Sequence, residues 1–180
     1  MNVRRRGGAP KPVINDMATL LAHALALEVE AVGRYTELAE IMASHNNREV
    51  SGLFMKMSDI ETLHVEAIRD RIRDRRLKKL PVIPYQWISA EGPETTDPSD
   101  LHYLMSPHQA LTLALRNEQR AHDFYQAVVD RSRDRDTRAL AMELAAEEQE
   151  HVAMLQRWLV KFPATAEDWD RDDDQPNVLD

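Results

Sequence analysis

An all-α four-helix bundle, made of two repeated antiparallel hairpins joined by a long crossover linker, is the architecture this 180-residue sequence predicts. Three observations carry that expectation. Only five glycines stand among many Ala, Leu, Met, Glu and Arg, a composition that favours helix over strand. Apolar residues recur at alternating steps of three and four through four separate segments. One phrase of residues is also written twice: Glu28 and Tyr35 are followed by Glu61 and His64, then Glu118 and Tyr125 by Glu148 and His151.

The first helix is expected over about 16–44, capped by Asn15-Asp16, with Leu21, Ala24, Glu28, Ala31, Tyr35, Leu38 and Met42 turned inward. His45-Asn46-Asn47 breaks it. A second helix over about 48–78 presents Val50, Phe54, Met57, Glu61, His64, Ile68 and Arg71 or Ile72. So short a break makes the two helices antiparallel neighbours. Residues 79–106 hold Pro81, Pro84, Pro93 and Pro98 and no sustained period, so they read as a linker.

Ser106 and Pro107 suit the cap and first turn of a third helix, about 107–133, whose stripe is Leu111, Ala114, Glu118, Ala121, Tyr125, Val128 and Ser132. After Asp134-Arg135-Asp136 a fourth helix, about 137–162, turns Ala141, Leu144, Glu148, His151, Leu155 and Trp158 or Leu159 inward, and Pro163 ends it. Leu20-Leu21 and Ala24-Leu25 before Glu28 match Ala110-Leu111 and Ala114-Leu115 before Glu118, the mark of a duplicated hairpin. A linker of this length, at up to roughly 3.5 Å per residue, can run the whole side of a helix of roughly 42 Å. An up-down-down-up order is thereby open, and so is simple up-and-down.

The domain is expected over 15–163, between a flexible basic tail (1–14) and an acidic one (164–180). A net charge of −8 argues against a nucleic-acid surface. Gly7-Gly8 and two prolines follow Arg4-Arg5-Arg6 where an export signal needs an apolar run, and no stretch is apolar enough to span a bilayer. With no cysteine there is neither disulfide, thiolate site nor iron–sulfur cluster, which fits a cytoplasmic location.

The repeated phrase carries the chemistry. Positions i and i+3 share a helix face, so Glu61-x-x-His64 and Glu148-x-x-His151 each offer a carboxylate and an imidazole to a metal ion. Each of two ions would take one His. Glu61 and Glu148 would bridge the pair, and Glu28 and Glu118 would complete one ion each. Carboxylate and imidazole donors suit iron, with manganese the other candidate, and leave positions for oxygen or peroxide. Six polar groups at the midpoints of four apolar stripes are costly to bury unpaired. A metal-free polar network is the competing explanation.

Tyr35 and Tyr125, two turns from their glutamates on the same face, are read as phenols orienting a ligand carboxylate. Glu147 and His122 are weaker candidates for a similar role. His23, His45, His102 and His108 read as surface or capping residues, Glu30 and Glu150 as off the stripe, and Met42, Met57 and Met154 as core filling.

At these residues, roughly Met17 to Phe162, the chain resembles the ferritin-like superfamily, especially its rubrerythrin-like and bacterioferritin-like branches. The resemblance implies a four-helix bundle with a crossover and a di-iron centre held by Glu28, Glu61, His64, Glu118, Glu148 and His151. Rubrerythrins typically carry another glutamate where Ala121 stands and a cysteine-rich electron-transfer domain. Bacterioferritins place a haem-ligating Met where Thr62 stands, so no haem is expected.

The implied activity is that of a non-haem di-iron oxidoreductase reacting Fe(II) with oxygen or hydrogen peroxide, as a ferroxidase or a peroxidase fed by a separate electron-donor protein. A homodimer or higher homo-oligomer is expected. The rival readings are a di-iron hydroxylase of an organic or quinone substrate, with a channel near Tyr85, Trp87 and Ile88; an iron-storage subunit with little turnover; and a metal-free helical interaction protein.

Overall fold

In the computed structural model, which describes residues 13–83 and 104–164, four α-helices account for the regular structure. They are α1 (Met17–Ser44), α2 (Arg48–Asp74), α3 (Pro107–Arg131) and α4 (Arg135–Lys161). Each starts at a side-chain cap. Asp16 accepts from the Thr19 amide at 2.8 Å, Asn47 from Val50, and Asp134 from Thr137 at 2.7 Å. Ser106 and Gln109 form a reciprocal capping box with Pro107 in the first turn.

The break between α1 and α2 is a left-handed cap. Asn46 has φ 60°, its amide donates to the Ala43 carbonyl, and the Asn47 amide donates to Met42. The same pair of bonds ends α2: Arg76 at φ 53° donates to Arg73, and Leu77 donates to Ile72. That cap stops α2 at Asp74, short of the 78 expected from sequence, because Arg76 is not a residue that announces a left-handed turn. In α4 the reverse holds. Asp134, expected to lie in the break, is the cap, so the helix starts at Arg135 rather than 137.

Two apolar clusters fix the chain direction. One joins Leu38 and Met42 near the end of α1, Val50 and Phe54 near the start of α2, Leu111 near the start of α3 and Leu155 near the end of α4. The other joins Leu20 and Leu21 of α1, Ile68 of α2, Val128 of α3 and Leu140 of α4, at the opposite helix ends. The order is therefore up-down-down-up. Leu80 packs on the second cluster and Met105 belongs to the first, so the connection between α2 and α3 joins opposite ends of the bundle. Simple up-and-down is ruled out.

Hydroxyls stitch the first hairpin: Ser51 donates to the Ala39 carbonyl at 2.8 Å, and Thr36 and Ser58 lie 2.8 Å apart. Between hairpins, Asn47 Nδ2 donates to Met105 O at 2.9 Å, tying the α1–α2 turn to the entry of α3. The inward stripes expected from periodicity are buried, apart from half-buried His64 and the last stripe position of α2 and of α4. Burying each large aliphatic side chain contributes about 1.5–3 kcal/mol before entropy is counted. Between the two apolar clusters lies a polar waist.

Candidate metal centre

The waist is built by one or two residues from each helix. Glu28 comes from α1, Glu61 and His64 from α2, Glu118 from α3, and Glu148 and His151 from α4. The four glutamates and His151 are buried, and His64 is half-buried. Single atoms of Glu61, Glu118 and His151 lie within 4.8 Å of one another, close enough to share one ion. The other three residues adjoin that trio. His64 Nε2 is 3.0 Å from His151 Nε2, Glu148 Oε2 is 3.5 Å from His151 Nδ1, and Glu28 is hydrogen-bonded to Glu61. All six sequence-selected residues thus meet, and the trio is more compact than the whole.

Glu118 is the most engaged of the four glutamates. Its Oε1 accepts from the Tyr35 hydroxyl at 3.2 Å, and its Oε2 faces His151 Nδ1 at 3.0 Å. Tyr35 therefore holds the carboxylate of the opposite hairpin rather than that of its own Glu28. Tyr125, its partner in the repeat, is buried and packs edge-on against Phe124, ring centres 5.2 Å apart.

Charge at the waist is arranged by protons. Burial, then the nearby Glu148, holds the Glu28 carboxyl well above the ordinary carboxylate range, and burial with Glu118 and Glu28 does the same to Glu61. Burial raises Glu148 to about 8 against the opposing pull of His151. For His151 burial acts downward, but bonds to Glu118 and Glu148 win and lift it to about 11. His64 is lowered, chiefly by burial and next by His151. His151 is accordingly the imidazolium, donating from Nδ1 to Glu118 and from Nε2 to neutral His64. A buried cation already stands among the carboxylates.

That arrangement leaves donors to spare. Glu28 Oε2 and Glu61 Oε1 are buried with no hydrogen-bond partner, and Glu148 Oε2 has only the 3.5 Å approach of His151 Nδ1. Buried carboxyl oxygens left without a full set of partners are costly, and protonation is what a metal-free waist uses to limit that cost. A cation that prefers oxygen and nitrogen donors can replace those protons, so the donor set fits iron or manganese.

Beyond the six, His23 corrects an expectation: it is buried, 5.8 Å from the Phe124 ring, not a surface or capping residue. The first turns of α1 are covered on a wide arc from Leu20 to Ala24, which a single stripe does not reveal. His45 does cap α1, and His108 Nδ1 lies 2.8 Å from the carbonyl of Phe162, the C-cap of α4. His122 is half-buried beside Asp123 at 3.5 Å. Glu30 is half-buried and Glu150 exposed. Met42 and Met57 fill the core, with Met154 packed against it. His102, Tyr85, Trp87 and Ile88 lie outside the described residues.

Sequence reasoning missed Arg71 as a partner. It makes an ion pair with Glu147 across α2 and α4, a pairing of distant positions that no local spacing announces.

Among the described residues, the waist meets solvent at His64, between α2 and α4. Lys56 lies over the Trp158 ring at 5.0 Å, His64 meets His151, and Arg71 meets Glu147, all between α2 and α4. The His64 side chain, 22% exposed, is the most accessible of the six.

A family model described as a ferritin-like domain matches residues 18–165. The chain is also similar to the crystal structure of an uncharacterized conserved protein from Magnetospirillum magnetotacticum MS-1. The two share 38% identity at a TM-score of 0.67, over 84% of this chain and 98% of that one. No curated protein matches the chain significantly.

Proposed function

This chain belongs to the ferritin-like family, and from that premise we propose that it is a non-haem di-iron oxidoreductase, oxidising Fe(II) with oxygen or hydrogen peroxide. The observation that supports the reading most is the convergence of unpartnered Glu28 and Glu61 oxygens with Glu148, Glu118 and two histidines on one buried waist. Glu28 and His64 would hold one ion, Glu118 and His151 the other, with Glu61 and Glu148 shared. When bound, two Fe(II) ions supply the pair of electrons that reduces the oxidant.

The protein's own contribution is placement and exclusion. Tyr35 fixes one oxygen of Glu118, so that carboxylate cannot swing freely. Apolar clusters on both sides keep bulk water from the waist and leave the α2–α4 seam as the approach for small reactants. Protons held by Glu28, Glu61, Glu148 and His151 must leave when cations enter, so loading releases acid. Electrons for repeated turnover come from further Fe(II), giving a ferroxidase, or from a separate donor protein, giving a peroxidase. We propose iron over manganese, action in the cytoplasm and a homo-oligomeric state on the same reading.

An anaerobic Fe(II) titration of metal-free protein, followed by a pulse of oxygen, tests this. Two Fe(II) per chain are expected, with a ferric absorption band after oxygen that Glu61→Ala and Glu148→Ala abolish. Absence of saturable Fe(II) binding would overturn the reading. Saturable Mn(II) binding without Fe(II) oxidation would overturn the iron assignment.

A further inference from the structure

Charge is polarised along the bundle. At the end where α1 and α4 begin and α2 and α3 finish, residues 69–79, residues 130–138 and Asp16 hold eleven Lys and Arg against six Asp. The remaining described residues hold seven Lys and Arg against fourteen Asp and Glu. Residues 167–174 follow α4, whose last turn lies at the opposite end, and carry six acids around Trp169 and Arg171. We propose that this acidic run of one copy docks on the cationic pole of a second copy, a head-to-tail contact. It needs no metal at the waist.

The pole is held as one surface. Ile68, Ile72, Leu77 and Leu80 share an apolar cluster with Val128 and Leu140, and the Arg133 amide donates to Asn15 Oδ1 at 2.8 Å. Arg73, Arg75, Arg76, Lys78 and Lys79 are exposed there, as are the four arginines between 131 and 138. With its aspartates counted, this end keeps a surplus of five positive charges, and the acidic run brings a surplus of five negative ones. Val13, 55% exposed, and Val82, 98% exposed and two residues past Leu80, add apolar side chains beside the guanidinium groups. Trp169 of the run suits both kinds of neighbour.

The run cannot cover the pole of its own chain. Phe162 packs against the first apolar cluster and its carbonyl lies 2.8 Å from His108 Nδ1, which fixes the end of α4 at the far side. From there the 27 residues of α4 span about 40 Å back to the pole. Asp172 lies ten residues beyond Phe162, at most roughly 35 Å away at full extension. A second copy meets no such limit. The contact joins two different surfaces, so its repetition makes a ring or an open chain of copies. Opposite charges of this size speed encounter and lose their hold as salt screens them.

Sedimentation of the full chain over a range of concentrations, at about 20 mM and about 500 mM salt, tests the contact. Growth with concentration is expected at low salt, and the apparent dissociation constant should rise at least about tenfold at high salt. A run variant carries Glu167→Gln, Asp168→Asn, Asp170→Asn, Asp172→Asn, Asp173→Asn and Asp174→Asn. A pole variant carries Arg75→Glu, Lys78→Glu and Lys79→Glu. Each alone should lose the growth. Mixed, they should pair one to one, because the first keeps its pole and the second its run. Carbodiimide treatment of nitrogen-15-labelled and unlabelled wild-type copies together should join Lys78 or Lys79 to the run in mixed-isotope products. A wild-type chain of constant size at every concentration and both salts overturns the proposal. So do growth that survives in the run variant, cross-links confined to single copies, or variants that do not pair. A third variant, with Glu91→Gln, Glu94→Gln, Asp97→Asn and Asp100→Asn, should associate as the wild type does. Loss of growth there would assign the pole to residues 84–103 instead and overturn the contact between copies.

Discussion

Glu118 gathers more defined partners than any other glutamate in the waist, and each comes from a different helix: Tyr35 from α1 and His151 from α4. Removing the phenol in Tyr35→Phe leaves a buried carboxylate oxygen short of a donor. The expected loss of metal-free stability is about 1–3 kcal/mol, read by urea unfolding. Titration at the waist has a definite sign. Glu28, Glu61 and Glu148 have folded-state values above their unfolded ones, so the folded protein binds more protons once pH passes the ordinary carboxylate range. Their stabilising contribution is complete below pH about 4.5 and declines as pH rises above it, that of Glu148 being lost as pH passes about 8. His151 adds a contribution complete below about 6.5 and lost towards about 11. The melting temperature of metal-free protein is therefore expected to fall between pH 5 and 8, and the three-fold variant Glu28→Gln, Glu61→Gln, Glu148→Gln to flatten that slope. A melting temperature that rises over this interval would contradict the proton arrangement at the waist.

At the scale of the helices, local chemistry decides where each element stops. Arg76 occupies the left-handed position that ends α2, at a cost Gly avoids, so Arg76→Gly is expected to stabilise by up to about 1 kcal/mol despite its looser unfolded chain. Gly33 in the middle of α1 and Gly52 in the second turn of α2 have open space where a Cβ would stand. Alanine at either should add about 0.5–1 kcal/mol in thermal or urea unfolding. Ser106→Ala, by removing half of the capping box, should cost about 1 kcal/mol.

These ends are also where the sequence was least readable. The stripes from Leu21 to Met42 and from Leu111 to Val128 follow from periodicity, because burying one helix face leaves a regular trace. The stop at Asp74 depends on a backbone angle at Arg76 that no residue type signals, and Asp134 can be read equally as a breaker or a cap. The six waist residues were legible because polar side chains on an apolar stripe are conspicuous. His23 and the Arg71–Glu147 pair were not, since the first depends on how widely α1 is covered and the second on which helices meet.

For the whole molecule, the up-down-down-up order places the two hairpins so that neither has a complete set of donors. Glu28, Glu61 and His64 stand in one, Glu118, Glu148 and His151 in the other. Metal loading should therefore raise global stability, not merely tighten a loop. An excess of metal at 100 times the dissociation constant is worth about 2.7 kcal/mol per site, visible as a higher melting temperature reversed by a chelator. The same division has a practical consequence. If residues 84–103 are left out and the two parts made separately, each fragment keeps a whole hairpin and half of the donors, so the cation becomes a glue whose strength can be dialled by concentration. Fragments 1–83 and 104–180 should pair more tightly with Fe(II) or Co(II) than with chelator, turning the bundle into a two-piece sensor in which reassembly reports the ion.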